Sequence, residues 1–279
     1  MEFLKALLDP QLNFLKNALL VLIISSIPLS IIGTFLVANR MSYIGGAISH
    51  SVLGGIGISL YLSTVYNLTY ITPTLGGLTF AILSGLLISF LYLKGKERID
   101  TSVSIVWIIG MAIGLIFAYL TPKFSDISSY LFGNILLLSK HDLIITIILS
   151  LTVITISGLF FNQLLLTSFD REFAKTKNIN VELFLTLLIF LTSITIFLIV
   201  KIVGIILSIT LLVIPSTIGL MISKNIKEAI IKSIFIYSFL SSIGLWISYA
   251  LDLPAGTTIA LVMGISYTLV IFTKKILSN

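Results

Sequence analysis

The sequence contains no cysteine among its 279 residues. Disulfides, thiolate metal sites and cysteine nucleophiles are therefore excluded, and redox chemistry says nothing about compartment. Charge is scarce too: 10% of residues are Asp, Glu, Lys or Arg against 57% apolar, and the mean hydropathy is +1.16. A water-soluble globular domain of this length does not carry that balance. There is no phosphate-binding G-x-x-x-x-G-K-[ST] loop, because Gly95-Lys96 lacks the upstream glycine and no other Gly-Lys pair occurs. Any nucleotide hydrolysis must come from another chain. An H-E-x-x-H motif is missing as well, and Ser49 and His50, neighbours on a helix, point about 100° apart and cannot form a nucleophile-base pair. A self-sufficient secondary carrier would be expected to place ion-coupling carboxylates within its spans, and all 11 acidic residues fall at span ends or in connections.

What the chain does have is long apolar runs, continuous and not alternating with a period of two, which reads as transmembrane helix and not as barrel strand. Nine candidate spans fall near 17–38, 43–62, 75–93, 101–120, 142–161, 181–200, 203–222, 233–251 and 257–272. A count of eight or ten stays open, since only Lys201-Ile202 separates the sixth from the seventh and the last is short. Residues 1–13, with Glu2, Lys5 and Asp9 spread through them and no cleavage site after a short apolar core, read as an amphipathic interfacial segment and not as a removable signal. With nine spans, one side holds Arg40, Lys94, Lys96, Arg98, Arg171, Lys175, Lys177, Lys224, Lys227, Lys232, Lys274 and Lys275, 12 of the 17 basic residues. The positive-inside bias makes that side cytoplasmic, with the C-terminus inside and the N-terminus outside. The net charge of +6 then reflects topology and not nucleic-acid binding. No stretch reads as a separate soluble domain, so residues 1–279 are expected to be one transmembrane domain.

His50 is one of only two histidines. Counted as helix from Arg40, it lies about 15 Å into the bilayer. A titratable group at that depth faces a cavity, a partner or a transported ion, and neutral imidazole is a common transition-metal ligand. Gly46 and Gly54, at i−4 and i+4, share its face, with Ala47, Ser51 and Gly55 beside them. That face is either a close helix-packing surface or part of an ion route. Pro215, in the middle of the seventh span, is read as a kink or as lining of the same route. Ser and Thr in the spans are expected to bond their own helix backbone. Asp126, His141, Asp142 and Asp252 fall at outer span ends, solvated or facing an outer partner. Residues 164–180 form a cytoplasmic connection with Ser168 or Asp170 as helix N-cap, Glu172 early, and Lys175 and Lys177 late, as a helix dipole favours. Phe169 and Phe173, at i and i+4, would make an aromatic ridge that lies on the membrane or enters a groove on a cytoplasmic partner.

The ordered motifs "VANRMSYIGGAISHSVLGG" (37–55), "SYLFGNILLLSKHDL" (129–143), "FDREFAKTKNINV" (169–181), "KIVGIILSITLLVIPS" (201–216) and "GLWISYALDLPAGTTIAL" (244–261) resemble permease subunits of the ABC-3 type, from ATP-binding-cassette importers for zinc, manganese and iron. The resemblance covers nearly the whole chain after residue 12. It implies an all-helical polytopic bundle of about eight to nine spans, similar to the vitamin B12 importer permease. It also implies a homodimer, two cytoplasmic ATPase subunits and an extracytoplasmic metal-binding receptor. In that scheme residues 169–178 match the coupling helix, with Phe169, Asp170, Glu172, Phe173 and Lys177 against the ATPase. Residues 129–138, including Asn134, match the outer gate. His50 matches a histidine that contacts the passing metal, which is cargo and not a stably bound cofactor. Many members carry an aspartate four residues before that histidine, where this chain has Gly46. With the carboxylate missing, zinc is favoured over manganese or iron, because manganese prefers several hard oxygen ligands. A chelated metal or corrinoid is the alternative cargo.

Overall fold

The structure, a computed structural model, describes residues 13–94, 98–122, 127–133, 138–205 and 207–277. The expected interfacial segment, apart from Asn13, lies outside the described residues, as do Asp126 and the expected gate residue Asn134. The described chain forms α1 (Asn13–Ala38), α2 (Tyr43–Val65), α3 (Pro73–Lys94), α4 (Ile99–Leu120), α5 (Ile127–Phe132), α6 (Lys140–Leu159), α7 (Phe161–Phe169), α8 (Arg171–Thr176), α9 (Val181–Val203), α10 (Ser208–Met221), α11 (Ile226–Leu251) and α12 (Ala255–Leu277). Eight of these, α1, α2, α3, α4, α6, α9, α11 and α12, are long and apolar enough to cross a bilayer. The all-helical polytopic architecture agrees with the sequence reading.

The seventh expected span differs from its expectation. Helix α9 does not stop at Lys201-Ile202 but continues to Val203, and α10 has only 14 residues. The cause is Gly204, whose φ of 86° and ψ of 170° lie in a region that only glycine occupies at low cost. Backbone of Leu131 and Gly133 presses so closely there that a Cβ would have no room. The N–H of Ile205 donates to the Tyr130 carbonyl at 3.1 Å, so α5 satisfies the link that α9 leaves open. At about 21 Å, α10 alone is shorter than the roughly 30 Å hydrocarbon core. The segment from Val203 to Ile205 and from Leu207 to Met221 nevertheless runs beside α12, with the Val203 carbonyl against Gly256 at its start and the Met221 carbonyl accepting from Lys274 Nζ (3.3 Å) near its end. The link and the short helix together therefore run alongside α12 from Gly256 to Lys274.

Burial separates the centre from the rim. In the most apolar window, 67% of α1 and 72% of α9 is buried, against 28% of α4, α6 and α12. Helices apolar on every side and covered by neighbours belong inside, whereas the rim helices turn Leu, Ile and Phe outward to lipid. Small residues set the closest approaches, as membrane packing requires. A Cβ at Gly57 would lie 2.6 Å from the Gly114 carbonyl oxygen, and one at Gly54 would lie 2.9 Å from that of Gly110, so α2 and α4 touch backbone to backbone. Most span hydroxyls bond their own helix, for example Thr34 to Ser30 O at 2.6 Å and Thr192 to Leu188 O at 2.7 Å. Several also cross between helices, including Ser51 Oγ to Val106 O (3.1 Å) and Ser89 Oγ with Thr186 Oγ1 (2.6 Å).

Candidate functional site

Helix α2 follows a tight reversal in which Arg40 takes a left-handed φ of 57° and the Met41 N–H donates to the Leu36 carbonyl at 2.9 Å. The helix therefore starts at Tyr43, and His50 stands about 10 Å along it, less than a count from Arg40 implies. His50 is partly exposed. Its imidazole stacks on the indole of Trp107 from α4, with centroids 4.6 Å apart and planes 18° apart. Nδ1 is buried with no hydrogen-bond partner among the described residues. The adjacent Ser49 donates to Gly45 O at 2.7 Å and pairs with Ser208 Oγ at 2.6 Å, which ties the first turn of α10 to the helix carrying His50. No group of three or more His, Asp or Glu that could hold a metal occurs among the described residues. One imidazole can contact an ion briefly and cannot retain it.

The other expected route residues occupy different surroundings. Gly46 is buried beside Trp107 and Ile209, 3.3 and 3.2 Å from where its Cβ would be. Gly54 lies in the packed contact with Gly110 and Phe80, which is the packing alternative that the sequence left open. Pro215 is buried within α10. A cavity of about 50 Å³ lies towards the opposite end of the bundle from α7 and α8, lined by Val52, Ile56, Tyr130, Asp142, Thr146 and Phe197 among others. Val52 is two residues from His50 and so about 200° round the helix, which puts the cavity and the histidine on different faces of α2.

Asp142 is not the solvated group its place at a span end implied. It is 8% exposed and forms a capping box at the start of α6, accepting from Ser139 N at 2.9 Å and Ser139 Oγ at 2.7 Å. The spacing of Ser139 and Asp142 is the signal that could have revealed it. His141 beside it is exposed.

At the basic end of the bundle, residues 164–180 form two helices where one was expected. Asp170 interrupts them in an extended conformation, φ −145° and ψ 89°, and its Oδ1 accepts from Phe173 N at 2.9 Å. An N-cap must leave helical geometry to make that bond, so Phe169 and Phe173 end up on successive helices and not on one ridge. Both remain exposed, at 57% and 46%. Lys175 pairs with Glu172 at 2.8 Å, Lys177 Nζ sits 5.6 Å from the Phe173 ring centroid, and Arg171 reaches Tyr92 Oη at 3.1 Å. Next to this segment Phe161, Leu165, Phe169, Asp170, Asn225, Ile226 and Lys227 line an open groove. The N-cap and first turn of α11, which carry the last three, were not expected to contribute.

An inward-packed bundle of apolar helices with a capped, exposed helical segment at its basic end is the architecture of a membrane permease. Comparison with known proteins narrows this. The family described as the ABC 3 transport family matches residues 11–274. The manganese import system permease protein ScaB of Streptococcus gordonii is 32% identical over 97% of this chain and 94% of its own length. The structure described as PsaBC from Streptococcus pneumoniae in complex with Fab superposes with a TM-score of 0.83 at 29% identity, over 96% of this chain and 94% of that one. An inward-facing transporter described as of the metal-chelate ABC type shares the fold, with a TM-score of 0.71 at 17% identity over 95% of this chain and 89% of that chain. The chain belongs to the ABC 3 transport family, and its role is that of a permease, a transport component.

Proposed function

We propose that this chain forms the membrane passage of an ATP-binding-cassette importer that carries a divalent metal ion inward, and that His50 contacts the ion on its way. The observation that carries this reading is a partly exposed imidazole in the second span, with one nitrogen buried and unpartnered among the described residues, on a helix face that also carries Gly46 and Gly54. Manganese is the cargo that the name of the Streptococcus gordonii relative supports. The preference for zinc rests on Gly46 alone and draws no support from that name. The ion passes as cargo and is not retained.

The chain works as one permease domain, as a homodimer, with two cytoplasmic ATPase subunits and an outer metal-binding receptor. Residues 164–180 are the coupling segment, with Phe169, Asp170, Glu172, Phe173 and Lys177 against the ATPase. The exposed aromatic rings and the groove reaching to Lys227 support that assignment. The basic end is cytoplasmic, and the C-terminus lies there. The test is uptake of radioactive Mn²⁺ and Zn²⁺ into vesicles holding the complete importer, with and without ATP, and against chelated metal. His50→Ala should lower ATP-dependent uptake by about 10- to 100-fold while the subunits still copurify. Undiminished uptake would leave the histidine as a packing residue, and uptake of chelate alone would change the cargo.

A further inference from the structure

We infer that Trp107 positions His50 in the ion route and, by filling the space beside Gly46, decides which donor atoms that route offers; this rests on the reading of His50 as a metal contact. A histidine that meets a metal through one nitrogen is ordinarily oriented by a hydrogen bond from the other. His50 has no such bond, since Nδ1 is buried without a partner among the described residues. Its ring lies instead nearly parallel to the Trp107 indole, with centroids 4.6 Å apart. A stack of this kind fixes the plane of the imidazole without engaging either nitrogen. The backbone of α4 on either side of the indole is held against α2. The preceding residue, Val106, accepts from Ser51 Oγ at 3.1 Å, and Gly110 one turn on meets Gly54 backbone to backbone.

The same indole covers Gly46, one turn before His50. A Cβ at position 46 would fall 3.3 Å from Trp107 Cζ3 and 3.2 Å from Ile209 Cδ1. A methyl group fits if those atoms give by tenths of an ångström, but the longer arm of an aspartate has to displace the indole. With Trp107 in place this face of α2 presents imidazole nitrogen and no carboxylate oxygen. Zinc accepts nitrogen donors readily, whereas manganese favours hard oxygen. Trp107 is thus both the surface that orients the histidine and the obstacle to a second ligand.

The experiment uses the complete importer in vesicles and compares Mn²⁺ with Zn²⁺ uptake. Trp107→Ala should lower uptake by about 10-fold, as loss of a ligand's supporting group does. Trp107→Phe should restore most of it, and Trp107→Ala should cost nothing further in a His50→Ala background. Gly46→Asp alone should lose uptake, whereas Gly46→Asp with Trp107→Ala should regain it with a raised Mn²⁺ to Zn²⁺ ratio. For fluorescence the permease is purified alone in detergent; it has two tryptophans, so Trp246→Phe leaves Trp107 as its sole indole. Its emission should be quenched by Mn²⁺ alone, and His50→Ala should abolish the quenching. If His50→Ala changes neither uptake nor quenching, the metal reading of His50 fails and this inference falls with it. If His50→Ala lowers uptake while Trp107→Ala does not, or if the two losses multiply, the positioning role alone is overturned. An unchanged metal ratio in the paired variant overturns the part concerning donor choice.

Discussion

Ser49 and Ser208 share two hydroxyl protons among three contacts: Ser49 with Gly45 O, Ser208 with Ile205 O, and each with the other. One contact always goes without a proton, so the link between α2 and α10 competes with the back-bond inside each helix. A double-mutant cycle of Ser49→Ala and Ser208→Ala, read by thermal unfolding in detergent, should give a coupling of about 0.6 kcal/mol, typical of polar pairs within membranes. A coupling of zero would mean that each hydroxyl serves only its own helix. At this scale the sequence is legible where a residue is rare. His50 stands out because imidazole seldom occurs in an apolar span, whereas Trp107 does not, because an indole among isoleucines reads as lipid contact until α2 and α4 are seen to pair. Ser49 was equally silent, since hydroxyls in spans usually bond their own turn.

Among the elements, the divided segment at Asp170 allows a direct test. Removing its cap by Asp170→Ala should destabilise α8 by about 1 kcal/mol. It should also free Phe173, seen as faster proteolysis between Leu166 and Lys175 and weaker copurification of the ATPase. Unaltered proteolysis would mean that Arg171 and Tyr92 hold the segment without the cap. Residues 169 to 177 were legible as a capped helix, because Asp170, Glu172 and Lys175 follow the helix dipole. The split was not, since Asp170 serves equally well as a first-turn residue or as a cap. Gly204 was hidden for a related reason: a glycine within "KIVGIIL" reads as a tolerated interior residue, and only the approach of α5 reveals why the helix must end there.

For the whole molecule, the nine-span reading predicts that the two ends of the chain lie on opposite sides, with the lysine- and arginine-rich side facing the cytoplasm. Natural absence of cysteine makes this simple to check. Asn67, in the turn between α2 and α3, and Lys175, in α8, lie at opposite ends of the bundle. On intact cells a membrane-impermeant maleimide should label Asn67→Cys and not Lys175→Cys. The reverse pattern would invert the orientation. Eight long apolar helices could be read in advance because hydrophobic length acts locally, whereas the order of burial, with α1, α2 and α9 innermost, depends on contacts between distant segments.

The short helix α10 also has a mechanical property. It hangs from Gly204 as an arm of about 27 Å to Met221, taking the 18 residues of α12 beside it as the ruler. A rotation of roughly 10° at that pivot would carry the Met221 end through about 5 Å, by the geometry of an arm that long, and would part it from Lys274 and from the α11 backbone at Ala229. Ser208, close to the pivot and bonded to Ser49, would travel only a small fraction of that distance, so such a rotation would be large at the basic end of the bundle and fine beside the histidine.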